Sequence, residues 1–154
     1  MRDIVAAEWV CANEEFMAAF RATLPHVAAV VFEHVYMAPL ARLVPSEIPV
    51  IYSSHNVEED LKRDLLRPRV DGERWARRAA ELEREVATRA NAMVAVCPTG
   101  GRVLGERYPG KPCLVAANGV ADPGLASPCA AGGYGAASAV FMGSSHPPNI
   151  EAAR

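Results

Sequence analysis

Short unbroken apolar runs alternate with longer charged or amphipathic stretches along this chain, and that alternation predicts its elements. Runs at 26–32, 50–53, 92–97 and 113–116 read as strands. Helices are predicted at 13–24, 38–43 and 101–108, with charged helices between the second and third strands. Strands alternating with helices mean a parallel sheet. Strands that are apolar throughout, not alternating in and out, are expected where helices cover both sheet faces. The expected fold class is α/β, a Rossmann-like parallel sheet with flanking helices.

The charged region sharpens this picture. Between Glu58 and Ala90 stand 9 Lys or Arg and 9 Asp or Glu in 33 residues, more than half of the chain's charged groups. Balanced charge at that density reads as helix surface. Trp75, Ala79, Leu82 and Val86 recur at steps of 4, 3 and 4 and form one stripe, with Arg77, Arg78, Glu81, Arg84 and Glu85 largely off it. That helix is expected to pack a sheet. Pro68 and the stretch 70–72, ending in Gly72, separate it from a shorter helix before it. From Asp122 to Ala139 the composition shifts to Pro, Gly, Ala and Ser without hydrophobic period. The expected organisation is therefore a first domain at 1–121, a linker at 122–138 and the opening of a second domain at 139–154.

Composition bounds the function. With 154 residues and 51% hydrophobic content the chain can bury one ordinary core. A net charge of −2 argues against nucleic acid as a partner, because phosphate recognition normally brings a basic surplus. No apolar run reaches the length of a membrane span, and Glu8 interrupts IVAAEWV before it could form a signal-peptide core, so a cytoplasmic location is expected. Cys11, Cys97, Cys113 and Cys129 form no CxxC pair and have no His at ligand spacing, so no metal site and no redox pair is expected. No Walker loop or GxGxxG occurs, which argues against an ATPase or a dinucleotide-dependent dehydrogenase.

Chemistry concentrates at three corners where an apolar run ends in a polar turn: IPVIYSSHNVEEDLK (48–62), LVAANGVAD (114–122) and AVFMGSSHPPN (139–149). The first puts His55 and Asn56 at a strand's carboxyl end, where α/β proteins bind ligands. An imidazole there can donate to a hydroxyl or to a developing charge; the bland alternative is a helix cap or a loop bond. Glu33 and His34 follow the strand before it, so two histidines share one sheet edge and suggest one pocket. Adjacent residues of an extended segment point to opposite faces, which argues against a Glu33–His34 pair. Glu58 and Glu59 open the next helix, where acidic side chains suit the dipole, and Arg102 stands in CPTGGR (97–102) beside a possible Thr99 cap. Gly119, after Asn118, would permit a positive φ.

With FEHVYMAPLARL (32–43), YSSHNVEEDLKR (52–63), ANGV (117–120) and FMGSSHPPN (141–149) in this order, residues 16–154 resemble the family-4 retaining glycosyltransferases. The resemblance implies the GT-B arrangement of two Rossmann-like halves and transfer of a sugar from a nucleotide-sugar co-substrate to a saccharide or other small acceptor, without a metal or other cofactor. By the same resemblance His55 faces the transferred sugar, flanked by Ser54 and Asn56, and His34 lies toward the acceptor. Asn118 and Gly119 border the cleft, and Gly143 begins the loop beneath the donor phosphates. Where relatives carry Arg and Lys in that loop this chain has Ser144 and Ile150, leaving Ser145, His146 and Asn149 as hydrogen-bonding substitutes. Ala121 stands where an acidic residue commonly follows the NGV corner. Such enzymes are longer, so the expectation is a partial chain, inactive alone and missing the remainder of its own chain. The full enzyme would act in the cytoplasm or at the inner membrane face. Two alternatives stay open: a non-enzymatic Rossmann-like module that binds a ligand or partner, and another GT-B enzyme such as a sugar epimerase.

Overall fold

The computed structural model describes residues 2–119, all within a first unit that ends at Gly119. The expected linker at 122–138 and the strand after it lie outside the described residues, as do Gly143, Ser144, Ser145, His146 and Asn149.

Two helices precede the sheet, α1 (Arg2–Trp9) and α2 (Glu14–Thr23). Asn13 starts α2 by accepting a 3.0 Å hydrogen bond from the Phe16 N–H, the usual Asn cap. Strand β1 (Val30–Glu33) leads into the short helix α3 (Ala38–Ala41). Strand β2 (Val50–Ser54) is followed by α4 (Glu58–Leu66) and α5 (Gly72–Arg89). Then come β3 (Ala92–Ala95), α6 (Pro98–Arg107) and β4 (Cys113–Val115). The four strands form one parallel sheet in the order β1-β2-β3-β4, with Phe32 opposite Tyr52, Tyr52 opposite Met93 and Met93 opposite Cys113. The α/β, Rossmann-like class is thus the class observed.

Among the described residues helices cover one face of the sheet, against the expectation of two. A parallel crossover is almost always right-handed, so a strand order that advances in one direction lays every connecting helix on the same side. Burial follows: Val50, Tyr52, Phe32, Met93 and Ala95 on the covered face are buried. On the other face Val31 is 53% and Leu114 64% exposed, and Ile51 and Val94 are half-buried.

On the covered face Ile4, Val35, Leu40, Tyr52, Leu82, Val86, Met93 and Leu104 form a single apolar cluster. The α5 stripe is as expected: Ala79, Leu82 and Val86 are fully buried and Trp75 half-buried. Helix α1, absent from the sequence expectation, joins this core through Ile4 and Ala7. The run expected as a strand at 26–32 begins later, because Pro25 helps close a 3-10 turn over Leu24–His26. At the amino edge of the sheet Arg89 donates to the carbonyls of Val44, Pro45 and Ile48, and Asn91 accepts from the Val50 N–H. That edge is fastened by side chains bonded to main-chain groups; paired acidic and basic side chains and the two histidines gather at the other.

Candidate functional site

At the carboxyl end of β1 the chain turns sharply through His34, whose φ of 64° and ψ of 161° lie where side-chain-bearing residues rarely go. Such a conformation costs on the order of 1–3 kcal/mol and persists only when its surroundings fix it. Here three contacts do so. The His34 N–H donates to the Ser53 carbonyl at 3.3 Å, Val35 is completely buried, and the Tyr36 hydroxyl donates to Glu58 Oε2 at 2.8 Å. The turn swings the His34 ring to 4.4 Å from that of His55, with the planes tilted by 32°.

The second corner follows β2. The Ser54 hydroxyl donates to the Asn56 carbonyl at 2.5 Å and closes the turn that carries His55. Helix α4 begins after Val57, which has no capping side chain. Its cap comes from a distance: Glu83 of α5, fully buried, accepts from the Glu58 N–H at 3.0 Å and from the Tyr52 hydroxyl at 3.1 Å, both on Oε1. Burial pushes the Glu83 carboxyl above the usual range, opposed by those two bonds and by Arg107, whose Nη1 lies 3.7 Å from Oε2. His55 is therefore not the cap of α4.

Charge is arranged in pairs around these corners. His34 Nδ1 lies 4.0 Å from Glu58 Oε1, and His55 Nε2 lies 3.9 Å from Glu33 Oε2. Glu33 thus faces the histidine of the other corner, in keeping with the argument against a Glu33–His34 pair. Behind them Lys62 bonds Asp3 at 2.8 Å and stands 4.0 Å from Glu58, and Arg107 reaches Asp60 at 2.7 Å and Glu59 at 3.3 Å. Burial, and then the Glu58 carboxylate, hold the Tyr36 hydroxyl far above the ordinary phenol range. It stays protonated and keeps donating.

Beside His55 a crevice of about 280 Å3 opens between the starts of α4 and α6. Ser54, His55, Asn56, Cys97 and Thr99 line it together with aliphatic side chains such as Leu61 and Val103. Such a crevice, outside the carboxyl ends of parallel strands, is where open α/β sheets take ligands. The cap expected at Thr99 is made by Cys97, whose Sγ accepts from the Gly100 N–H at 3.4 Å. Arg102 is turned to Glu106 at 2.8 Å and does not enter the crevice.

The structure therefore unites His34 and His55, and places Ser54 and Asn56 at the same corner, with the Ser54 hydroxyl spent inside the turn. Asn118 and Gly119 are exposed beyond β4 and do not line the crevice. Gly119 does not use the positive φ that a glycine there would permit; among the described residues the glycine with one is Gly110, at 85°, in the turn before β4. Sequence reasoning treated Glu58 as a helix-start residue and passed over Glu83, Tyr36 and Lys62. The available signal was periodic: Glu58, Lys62 and Leu66 fall four apart on one face of α4, and all three are buried. Among the described residues no group of three or more His, Cys, Asp or Glu is arranged to hold a metal ion, and no helix is long and apolar enough to cross a membrane. No protein-family model, curated protein or solved structure matches the chain.

Proposed function

We propose that this chain supplies the acceptor-side half of a retaining glycosyltransferase that uses a nucleoside-diphosphate sugar, with His55 toward the transferred sugar and His34 toward the acceptor. The observation that carries it is the meeting of two histidine corners, 4.4 Å ring to ring, at adjacent strand ends beside a crevice of about 280 Å3. Imidazoles offer both a donor and an acceptor to sugar hydroxyls. Partial exclusion of water strengthens any stabilisation of charge developing at the sugar. Asn56 is exposed at the mouth and free to add an amide contact.

The test is a titration of the 15N-labelled chain with nucleoside-diphosphate hexoses and with methyl glycosides. Amide shifts confined to residues 33–36 and 53–57, and abolished in a folded His55→Ala variant, are expected. Saturable shifts that survive His55→Ala, or none with any sugar, would overturn the assignment. One observation favours a second reading, a non-enzymatic module that binds a partner chain: the bare sheet face with Val31 and Leu114 exposed. In that case His55→Ala would be without effect, and substitutions on the face would abolish binding.

A further inference from the structure

We infer that Glu58 and His34 form a carboxylate–imidazole dyad in which Glu58 positions His34 to accept a hydrogen bond from an acceptor hydroxyl and so orient it. The inference rests on the transfer reading above and assigns it a group that reading leaves open.

The starting observation is an orphan. His34 Nδ1 is buried and makes no hydrogen bond, although 43% of the side chain is exposed, so the ring offers another edge to solvent. A buried polar nitrogen without a partner is costly and asks for an explanation. The carboxylate facing it is Glu58, 3% exposed, whose Oε1 stands 4.0 Å away. The two oxygens of Glu58 are divided: Oε2 accepts from Tyr36 at 2.8 Å and faces Lys62 at 4.0 Å, while Oε1 accepts no hydrogen bond. Oε1 is therefore free to accept from the His34 side. At 4.0 Å the pair is within electrostatic reach though longer than a hydrogen bond, and a small rotation of the ring closes it.

An Nδ1–H directed at Glu58 fixes which nitrogen carries the proton, since the hydrogen bond made by one ring nitrogen sets the state of the other. Nε2 is then bare and presents a lone pair on the ring's accessible side. The backbone supports this assignment. The turn at φ 64° buries Val35 and at the same time aims His34 Nδ1 inward at Glu58 while part of the ring stays exposed. Strain retained at a polar residue in this way points to function.

In a retaining transfer the acceptor oxygen bonds to the anomeric carbon of the donor on the face that the leaving group quits, and the hydroxyl, held by His34 Nε2, gives its proton to the departing diphosphate. The electron pair of the breaking carbon–oxygen bond leaves with the nucleoside diphosphate. The Glu58 carboxylate holds the ring's orientation and tautomer throughout the step. His55, whose carboxylate neighbour Glu33 is mostly exposed, has no equivalent buried counter-charge and is left to contact the sugar.

The test reads the dyad without any sugar present. Two-bond 1H–15N spectra of the imidazoles of the whole chain, recorded near pH 8.5 where ordinary histidines are neutral, report the tautomer. His34 is assigned through His34→Gln. The expected result is His34 with Nδ1 protonated and Nε2 bare. In Glu58→Met, which keeps the volume and removes the acceptor, the tautomer ratio should invert; in Tyr36→Phe, which leaves Oε1 in place, it should not. A majority of Nε2–H in the native chain overturns the proposal, and so does an unchanged ratio in a folded Glu58→Met. If Glu58→Met does not fold, the native spectrum decides alone. Failure here leaves the sugar titration standing, and failure of that titration leaves the Glu58–His34 pairing standing but removes its role toward an acceptor.

Discussion

Glu83 occupies a position that the α5 stripe assigns to an aliphatic side chain, since Ala76, Ala79, Ala80 and Ala87 bury the same face around it. Its value is positional: one oxygen holds the start of α4 and the hydroxyl of Tyr52 together and so fixes the turn bearing His55. Its cost is a buried charge. With its carboxyl raised by burial, the folded chain keeps the proton at pH values where the unfolded chain has released it, so Glu83 lowers stability as pH rises above about 4.5, its ordinary value. The loss is at most about 1.4 kcal/mol per pH unit across that window. Glu83→Gln keeps an oxygen at Oε1 for both donors and removes the charge. Urea unfolding should show the Gln variant gaining on the native chain as pH is taken from 4 to 7; a difference constant with pH would mean the carboxylate is ionised without penalty. Position 83 also shows where sequence legibility failed at this scale. Periodicity placed Ala79, Leu82 and Val86 inside, but a charged residue is assigned to solvent by type, and only the surrounding alanines signalled otherwise.

Element existence was far more legible than element function. All four strands and the helices between them were readable from apolar runs, because burial on a sheet or helix face demands such runs whatever their sequence neighbours. Helix α1 was missed: Ile4 and Ala7, its only buried residues, give too little pattern. Gly72 shows how a correct boundary can have a different cause. In the sequence it weakens helix continuation; in the structure it is the first residue of α5, and a Cβ there would stand 1.9 Å from the Leu66 carbonyl oxygen. The α4–α5 packing, which also sets Glu83 beneath Glu58, therefore requires the absence of a side chain. Gly72→Ala should cost about 1–3 kcal/mol through backbone displacement. Gly105→Ala, within α6 with nothing inside 4 Å, should instead stabilise by about 0.5–1 kcal/mol. Denaturant midpoints of the two variants moving in opposite directions would separate close approach from helix propensity; both rising would show that α4 and α5 can separate freely.

For the described unit as a whole, the strand order decides what the surface is. Strands that advance from β1 to β4 in one direction have all their crossovers on one face, so the residues of the other face are apolar without being covered: Val31 at one edge strand, Leu114 at the other, Ile51 and Val94 between. The strand composition was correctly read as that of a sheet apolar on both sides. Which side would be covered depends on strand order, a long-range property that no local run encodes. A contiguous apolar face of this kind, flanked by the unpaired edges of β1 and β4, favours association. Val31→Lys combined with Leu114→Lys should therefore make the chain's sedimentation less dependent on concentration. Both positions are over half exposed, so unfolding free energy should change by no more than about 0.5 kcal/mol. Because the substituted side chains point away from the face carrying Tyr52, Glu83 and the α4 cap, sugar-induced shifts at residues 33–36 and 53–57 should persist. Loss of association with retained sugar shifts would assign the two faces separate roles. Unchanged association would place the contact elsewhere, and loss of the fold would show that the bare face is part of the core.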